Sequence, residues 1–180
     1  MEIKPQTIKV VVSEEIFDHM PKAEAEEQYK YLMSVLHGRT ATCRPVVLST
    51  KRFCESEHTI FLLHRNIIVG TGQISLADTF PTPHVYINNI VISPFVQKLG
   101  LGARLMRELS MLAVRKWGGD DRTLRLELTN NPNKKNAGFY YVQGFRARAD
   151  GRWPVLVLKQ VLNFLGWKAE DETVVWVKEV

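Results

Sequence analysis

A strand, a glycine-bearing turn and a helix follow one another between Asn88 and Trp117, and this succession constrains the chain more than any other feature. Ile90-Val91-Ile92-Ser93-Pro94 is an apolar run closed by a proline. Gln97-Lys98-Leu99-Gly100-Leu101-Gly102-Ala103 comes next, and Leu101, Leu105, Leu109 and Leu112 then recur at helical spacing, joined by Met106 and Ala113. Gly118-Gly119 stops that helix, with Arg115 and Lys116 in its last turn. The first amides of a helix have no intrahelical partner, and the macrodipole adds positive charge there. Successive amides from Lys98 to Ala103 therefore form an anion site, which glycines at 100 and 102 let a ligand approach. The alternative is that the two glycines serve only a tight strand-to-helix turn.

The rest of the chain alternates strands and helices. Thr7–Val12 reads as a strand, and Ser13 as the cap of a short helix ending near Met20. Pro21 opens a second helix that stops at His37-Gly38. Val46-Val47-Leu48 is a short strand or part of a loop. Thr59–His64 and Ile67–Leu76 form a hairpin around Arg65-Asn66, with Gly70 and Gly72 marking a bulge or a close approach by another group. Asparagine is depleted in strands, so Asn88-Asn89 inside the strand Val85–Ile92 marks a second bulge. Thr123–Thr129 alternates, with Leu124, Leu126 and Leu128 on one face and Arg125, Glu127 and Thr129 on the other. A helix from about Lys134 to Gln143 is capped by Gly144, and a strand starts at Phe145. Val155–Leu165 is apolar on more than one side and reads as a buried or partner-facing helix. Thr173–Lys178 is a last strand.

At 180 residues, 45% of them apolar, the chain has the material for one core, and residues 1–180 are expected to form a single domain. No apolar run has the length of a membrane span and no signal-type segment follows Met1, so a soluble, cytoplasmic protein is expected. Cys43 and Cys54 have no metal-site spacing, and no metal is expected. The formal charge of +5 suits an anionic ligand. Its basic residues are scattered, and the densest group is diluted by Asp120, Asp121 and Glu127, which speaks against nucleic acid as the main partner.

Taken together these segments resemble the GNAT superfamily, the acyl-CoA-dependent N-acetyltransferases. Gln97-Lys98-Leu99-Gly100-Leu101-Gly102 matches that family's Q/R-x-x-G-x-G/A signature in full. Asn133, Phe139, Tyr140, Gly144 and Phe145 match its N-x-x-A-x-x-L/F-Y-x-x-x-G-F helix. Asn136 departs from the pattern where the family usually has alanine. The loop before Asn133 is also slightly longer than usual, counted from Glu127, which matches a common glutamate. The motif similarity covers residues 85–145, and the segment 154–168 is extra.

The resemblance implies an α/β (α+β) fold. Its central sheet is mixed and mostly antiparallel, with a splayed parallel strand pair and helices on both faces. It implies acetyl-CoA as cosubstrate and a small-molecule or peptide amine as acceptor. The coenzyme's arm would lie along Ile90, Val91 and Ile92. Its pyrophosphate would lie on Gln97, Lys98, Leu99, Gly100, Leu101, Gly102 and Ala103. Asn136 and Tyr140 would complete the contacts, while Asn133 either contacts the coenzyme or caps its helix. Tyr140 resembles the family's general acid, and a backbone amide near Ile90 would hold the oxyanion. The base position falls near Asn88, which takes no proton at neutral pH. Glu127 is the best carboxylate candidate, with Asp78 and His84 flanking. A homodimer through 154–168 or through the C-terminal strand is a further expectation.

Overall fold

The computed structural model describes residues 4–37, 57–77, 84–118, 124–130, 136–147 and 174–180. The elements are β1 (Lys9–Val12), α1 (Ile16–His19), α2 (Lys22–His37), β2 (Glu57–His64), β3 (Ile67–Ala77), β4 (His84–Ile92), α3 (Leu101–Trp117), β5 (Arg125–Asn130), α4 (Ala137–Val142), β6 (Arg146–Ala147) and β7 (Val174–Glu179). They build a seven-stranded sheet in the order β1-β2-β3-β4-β5-β7-β6. Every neighbouring pair is antiparallel except β4 and β5. This is the mixed sheet that the sequence predicts.

The sheet carries a core on each face. On one, Leu101, Leu105, Met106, Leu109, Leu112 and Ala113 of α3 pack against Ile74, Val85, Ile87, Leu126 and Leu128. These α3 residues are the ones that recur at helical spacing, and each fully buried leucine contributes about 1.5–3 kcal/mol relative to exposure. On the other face, α1 and α2 supply Ile16, Tyr29 and Leu32 against Val11, Phe61, Leu63 and Ile68. Gly72 sets how near α3 can come: a Cβ there would lie 2.7 Å from Leu109 Cδ1. The close approach predicted at this glycine is made by α3.

Local differences from the sequence reading have local causes. Thr7 belongs to a short 3-10 turn, because its amide bonds back to the Lys4 carbonyl at 3.0 Å, and β1 begins only at Lys9. Ser13 is not a cap: it is the first residue of a 3-10 turn capped by Val12, and Glu15 stands at the cap of α1. Ser13 is buried, donates to Glu14 Oε2 at 3.0 Å and accepts from the Thr59 amide. Glu14 in turn meets His58 Nδ1 at 3.0 Å. Burial works to raise the Glu14 pKa, but its backbone hydrogen bond, Ser13 and His58 together hold it below the ordinary value. Pro21 lies just outside α2, which starts at Lys22, and its carbonyl accepts from the Ala25 amide. Arg65 and Asn66 both have positive φ (50° and 64°), the mirror-image turn that suits twisted hairpin strands. Cys43, Cys54, Val46-Val47-Leu48 and the segment 154–168 lie outside the described residues.

The bulge expected at Asn88-Asn89 is present. Thr71 pairs with Val91 and Gln73 with Asn88, so Asn89 and Ile90 oppose the single Gly72. Asn89 takes φ 51°, a conformation asparagine tolerates better than most residues, and its Nδ2 donates to Gln73 Oε1 at 2.8 Å. The extra residue reverses which face each side chain meets. Val85 and Ile87 point to the α3 core, whereas Val91 belongs to the α1–α2 core.

Beside the bulge, Thr71 is fully buried and its Oγ1 has no hydrogen-bond partner among the described residues. Thr71→Val replaces the orphaned hydroxyl with a methyl of similar shape. It is expected to stabilise the fold by about 1 kcal/mol. Thermal unfolding checks this as a rise in Tm of roughly 2–4 °C; a fall in Tm would mean that the hydroxyl is satisfied.

Candidate active site

The parallel ladder between β4 and β5 runs from His84↔Arg125 to Ile87↔Leu128 and ends there, although β4 continues to Ile92 and β5 to Asn130. Among the described residues, the edge of β4 that looks toward β5 is therefore unladdered from the bulge onward. The Ser93 amide bonds to the Val69 carbonyl at 2.8 Å. With Gly70 paired to Ile92, antiparallel alternation then aims the Ile92 amide and carbonyl away from β3, into the gap. Gln97 Nε2 donates to that Ile92 carbonyl at 3.3 Å.

The turn after β4 has two residues in the left-handed region, Lys98 (φ 66°) and Gly100 (φ 75°). A Cβ on Gly100 would meet nothing within 4 Å, so conformation alone asks for glycine there. Gly102 differs: a Cβ there would sit 3.3 Å from Phe139 Cε2, so its bareness serves the packing of α4 on α3. Gly100 caps α3 without a side chain, and Arg104 is the residue whose amide reaches back to the Gly100 carbonyl, at 3.1 Å. That leaves the amides of Leu101, Gly102 and Ala103 without intrahelical acceptors.

These features open into a cavity of about 660 Å³. Of the predicted site residues, its walls unite Ile90, Val91, Ile92, Gln97, Lys98, Gly100, Leu101, Gly102, Ala103, Asn136 and Tyr140. Val35 and Leu36 of α2 close one side; Phe139, Val142 and Gln143 of α4 close another. Leu99 turns out of this cavity and lines a neighbouring groove along the outer side of α3, beside Arg104 and Arg107. Asn133 lies outside the described residues. Gln143 was legible as lying on the same helical face as Asn136 and Tyr140, a signal that motif matching alone passes over.

Tyr140 is buried at 8% exposure, with Phe139 edge-on at 5.4 Å. Burial pushes the phenol's pKa up, while a hydrogen bond from the Asn136 side chain works the other way. The net rise keeps Tyr140 protonated throughout the neutral range. The Gly144 and Phe145 amides bond to the Tyr141 and Tyr140 carbonyls, which fixes the end of α4. Tyr141 is exposed beneath the Arg146 guanidinium, 4.3 Å from its ring centre.

Neither Asn88 nor Glu127 is among the residues lining this cavity. Glu127 sits on the polar face of β5, yet it is buried, held by Arg125 Nη2 at 2.7 Å and His84 Nε2 at 3.5 Å. Asn88 Oδ1 is buried without a hydrogen-bond partner among the described residues. Asp78 lies outside them. The C-terminal strand β7 is paired on both sides at Trp176 and Val177, which leaves no open edge there. Among the described residues no helix is long and apolar enough to cross a membrane.

Solved structures share this architecture. An acetyltransferase from Streptococcus agalactiae superposes with a TM-score of 0.65 at 12% identity, covering 97% of this chain and 99% of its own. A GNAT-family acetyltransferase from Staphylococcus aureus gives 0.65 at 13% identity, covering 96% and 98%. N-acetylglutamate synthase from Neisseria gonorrhoeae, complexed with coenzyme A and N-acetyl-glutamate, gives 0.59 at 13% identity over 99% of this chain and 36% of its own. No curated protein sequence matches the chain. Residues 23–145 match the acetyltransferase (GNAT) family, in sequence and not only in shape. The fold, the uncapped α3 turn and that match agree: the chain belongs to the GNAT family of acyl-CoA-dependent acetyltransferases.

Proposed function

We propose that the protein moves an acetyl group from acetyl-CoA to a primary amine of a small molecule by direct attack. The observation that carries this reading is one cavity holding the unladdered end of β4, the free amides of α3 and the Tyr140 phenol. Those groups fit the coenzyme. The amides of Leu101, Gly102 and Ala103 take the pyrophosphate, with Lys98 beside them. The open edge of β4 at Ile90 and Ile92 takes the amide-bearing arm. Gln97 tethers the signature turn to β4 through the Ile92 carbonyl.

In the reaction the neutral amine forms a bond to the acyl carbon and the carbon–sulfur bond breaks. A backbone amide beside Ile90, taken out of the β3 ladder by the bulge, receives the negative charge on the acyl oxygen. Tyr140 gives the leaving sulfur its proton, and the proton that the acceptor nitrogen sheds as the amide forms returns the phenol to its protonated state through solvent. An ordinary tyrosine is a weaker acid than a thiol, near 10 against 8.5. Tyr140 therefore acts best as a hydrogen-bond donor while charge builds on sulfur, completing the transfer as the bond breaks. Glu127 is committed to Arg125 and His84, so the acceptor loses its ammonium proton to solvent.

That commitment of Glu127 also favours a second reading, a non-catalytic acyl-CoA-binding module. Two measurements separate the possibilities. Acetyl-CoA at a hundredfold excess over Kd is expected to stabilise the fold by about 2.7 kcal/mol, a rise in Tm of roughly 5–10 °C. No rise at saturation sinks both readings. Thiol release across a panel of small amines and peptides then distinguishes enzyme from module, and small-molecule from peptide acceptor.

A further inference from the structure

We propose that Val35 and Leu36 select the acceptor, and that it is a primary monoamine with an apolar body. The proposal rests on the coenzyme reading of the α3 side of the cavity. Tyr140 and Leu101 belong to the core on the α3 face of the sheet, and Ile90, Ile92 and Phe139 pack against it. Val91 belongs to the core on the α1–α2 face, and Val35 and Leu36 pack against that one. All of these residues line the same cavity, which therefore touches both faces of the sheet. The β4–β5 ladder ends at Ile87↔Leu128, and the opening beside β4 beyond that point connects the two faces. A coenzyme held on the α3 side by the amides of Leu101, Gly102 and Ala103 directs its acyl group into this opening. The α2 side is left for the molecule that attacks it.

The α2 wall is apolar by sequence as well as by position. Tyr31-Leu32-Met33-Ser34-Val35-Leu36 carries no charge, whereas Lys22, Glu24, Glu26, Glu27 and Lys30 all lie in the first part of the helix. Leu32 and Met33 are buried in the core, but Val35 and Leu36 are only partly covered and turn apolar surface to the cavity. Tyr31 stands one turn before Val35 and is 47% exposed, so the apolar stripe continues outward. The Ser34 hydroxyl is occupied by the Tyr31 carbonyl at 2.7 Å. Among the described residues, the charged side chain that lines the cavity is Lys98, a cation. A second ammonium on the acceptor meets a like charge there and no carboxylate. A methylene chain instead covers the α2 wall, and each CH₂ withdrawn from water raises affinity on the order of two- to fourfold.

The test offers ethylamine, butylamine, hexylamine and 1,4-diaminobutane, each with acetyl-CoA, to the full chain. The three monoamines titrate at nearly the same pH, so differences in kcat/KM report the chain and not the supply of neutral amine. Among them kcat/KM is expected to rise about two- to fourfold per methylene, with the diamine well below butylamine. Leu36→Asn, close to leucine in size, should flatten the series. Leu36→Met should restore it, because the wall is apolar again. The KM for acetyl-CoA and the rise in Tm that it causes should match wild type in both variants, which shows an intact fold and coenzyme side. Val35→Thr repeats the comparison should Leu36→Asn fail to fold.

A flat series, or a diamine that outruns butylamine, overturns the proposal. So does a slope that survives unchanged in Leu36→Asn. Hexanoyl-CoA with ethylamine tests the other occupant of the wall. A donor preference for hexanoyl-CoA over acetyl-CoA that vanishes in Leu36→Asn would give the wall to the acyl chain, and the proposal falls. If the wild type transfers acetyl to no amine, the catalytic reading fails separately, and calorimetry with coenzyme A present decides. Hexylamine binding more tightly than butylamine in wild type but not in Leu36→Asn upholds the apolar wall, and equal affinities in wild type overturn it.

Discussion

Tyr140→Phe is expected to cut kcat by about a hundredfold while leaving acetyl-CoA affinity unchanged. The ring stays, so the edge-on contact with Phe139 and the backbone bonds of α4 stay with it. Only the hydroxyl is removed. Without it the departing sulfur draws its proton from water, and the carbon–sulfur bond must break with full charge on sulfur. The sign of the pH dependence follows from burial. Burial is the largest influence on this phenol and raises its pKa above the ordinary 10, with Asn136 opposing in part. The acid is therefore present at all pH values below that raised pKa, and the Tyr140 contribution to turnover should be lost only on its alkaline side, while the fall on the acid side belongs to protonation of the acceptor amine. In Tyr140→Phe the alkaline loss should disappear along with most of the rate. Steady-state turnover against pH, with coenzyme titration by calorimetry, makes the comparison. A kcat equal to wild type removes Tyr140 from the rate-limiting chemistry.

Gly100→Val should weaken acetyl-CoA binding by roughly tenfold or more through backbone strain alone. Position 100 takes φ 75°, and an L-residue pays about 1–2 kcal/mol there. A β-branched residue fits this region worse still. There is room for a side chain, since a Cβ would touch nothing within 4 Å, so a steric clash is not the cause. The turn would relax toward negative φ and swing the amides of Leu101, Gly102 and Ala103 away from a common focus. Gly100→Asn serves as the control, because asparagine accepts left-handed geometry. It should keep most of the affinity that valine loses. Calorimetric binding of acetyl-CoA to the two variants distinguishes strain from bulk, and equal losses would argue that the side chain itself obstructs the site.

The sequence disclosed these features unevenly. The helix α3 was legible because its leucines fall on one stripe, and the same residues are the buried ones. The bulge was legible because two asparagines in a strand have no packing rationale. Ser13 was misread because its partner, Thr59, comes from a distant strand, so local capping rules pointed to the wrong amide. Glu127 offered a carboxylate on the neighbouring strand, but its ion-pair partners were not legible. Its capture depends on β4 pairing parallel to β5 in a register that sets His84 opposite Arg125, which no local pattern specifies. The turn and helix start that line the cavity are encoded in short, contiguous motifs. The remaining wall, Val35 and Leu36, comes from the far end of α2 and follows only from how that helix crosses the sheet.

The bulge at Asn89 also has a practical meaning for anyone who would redesign this protein. Upstream of it, His84, Tyr86 and Asn88 stand on the opposite side of the sheet from Val85 and Ile87, which meet α3. Downstream, Ile90 and Ile92 are the residues packed toward α3. One strand is thereby split into two independently addressable halves. A combinatorial library at 84, 86 and 88 explores one surface, and a library at 90 and 92 explores the other. Hits from each can be recombined with little mutual interference, provided that Asn89 itself is left alone.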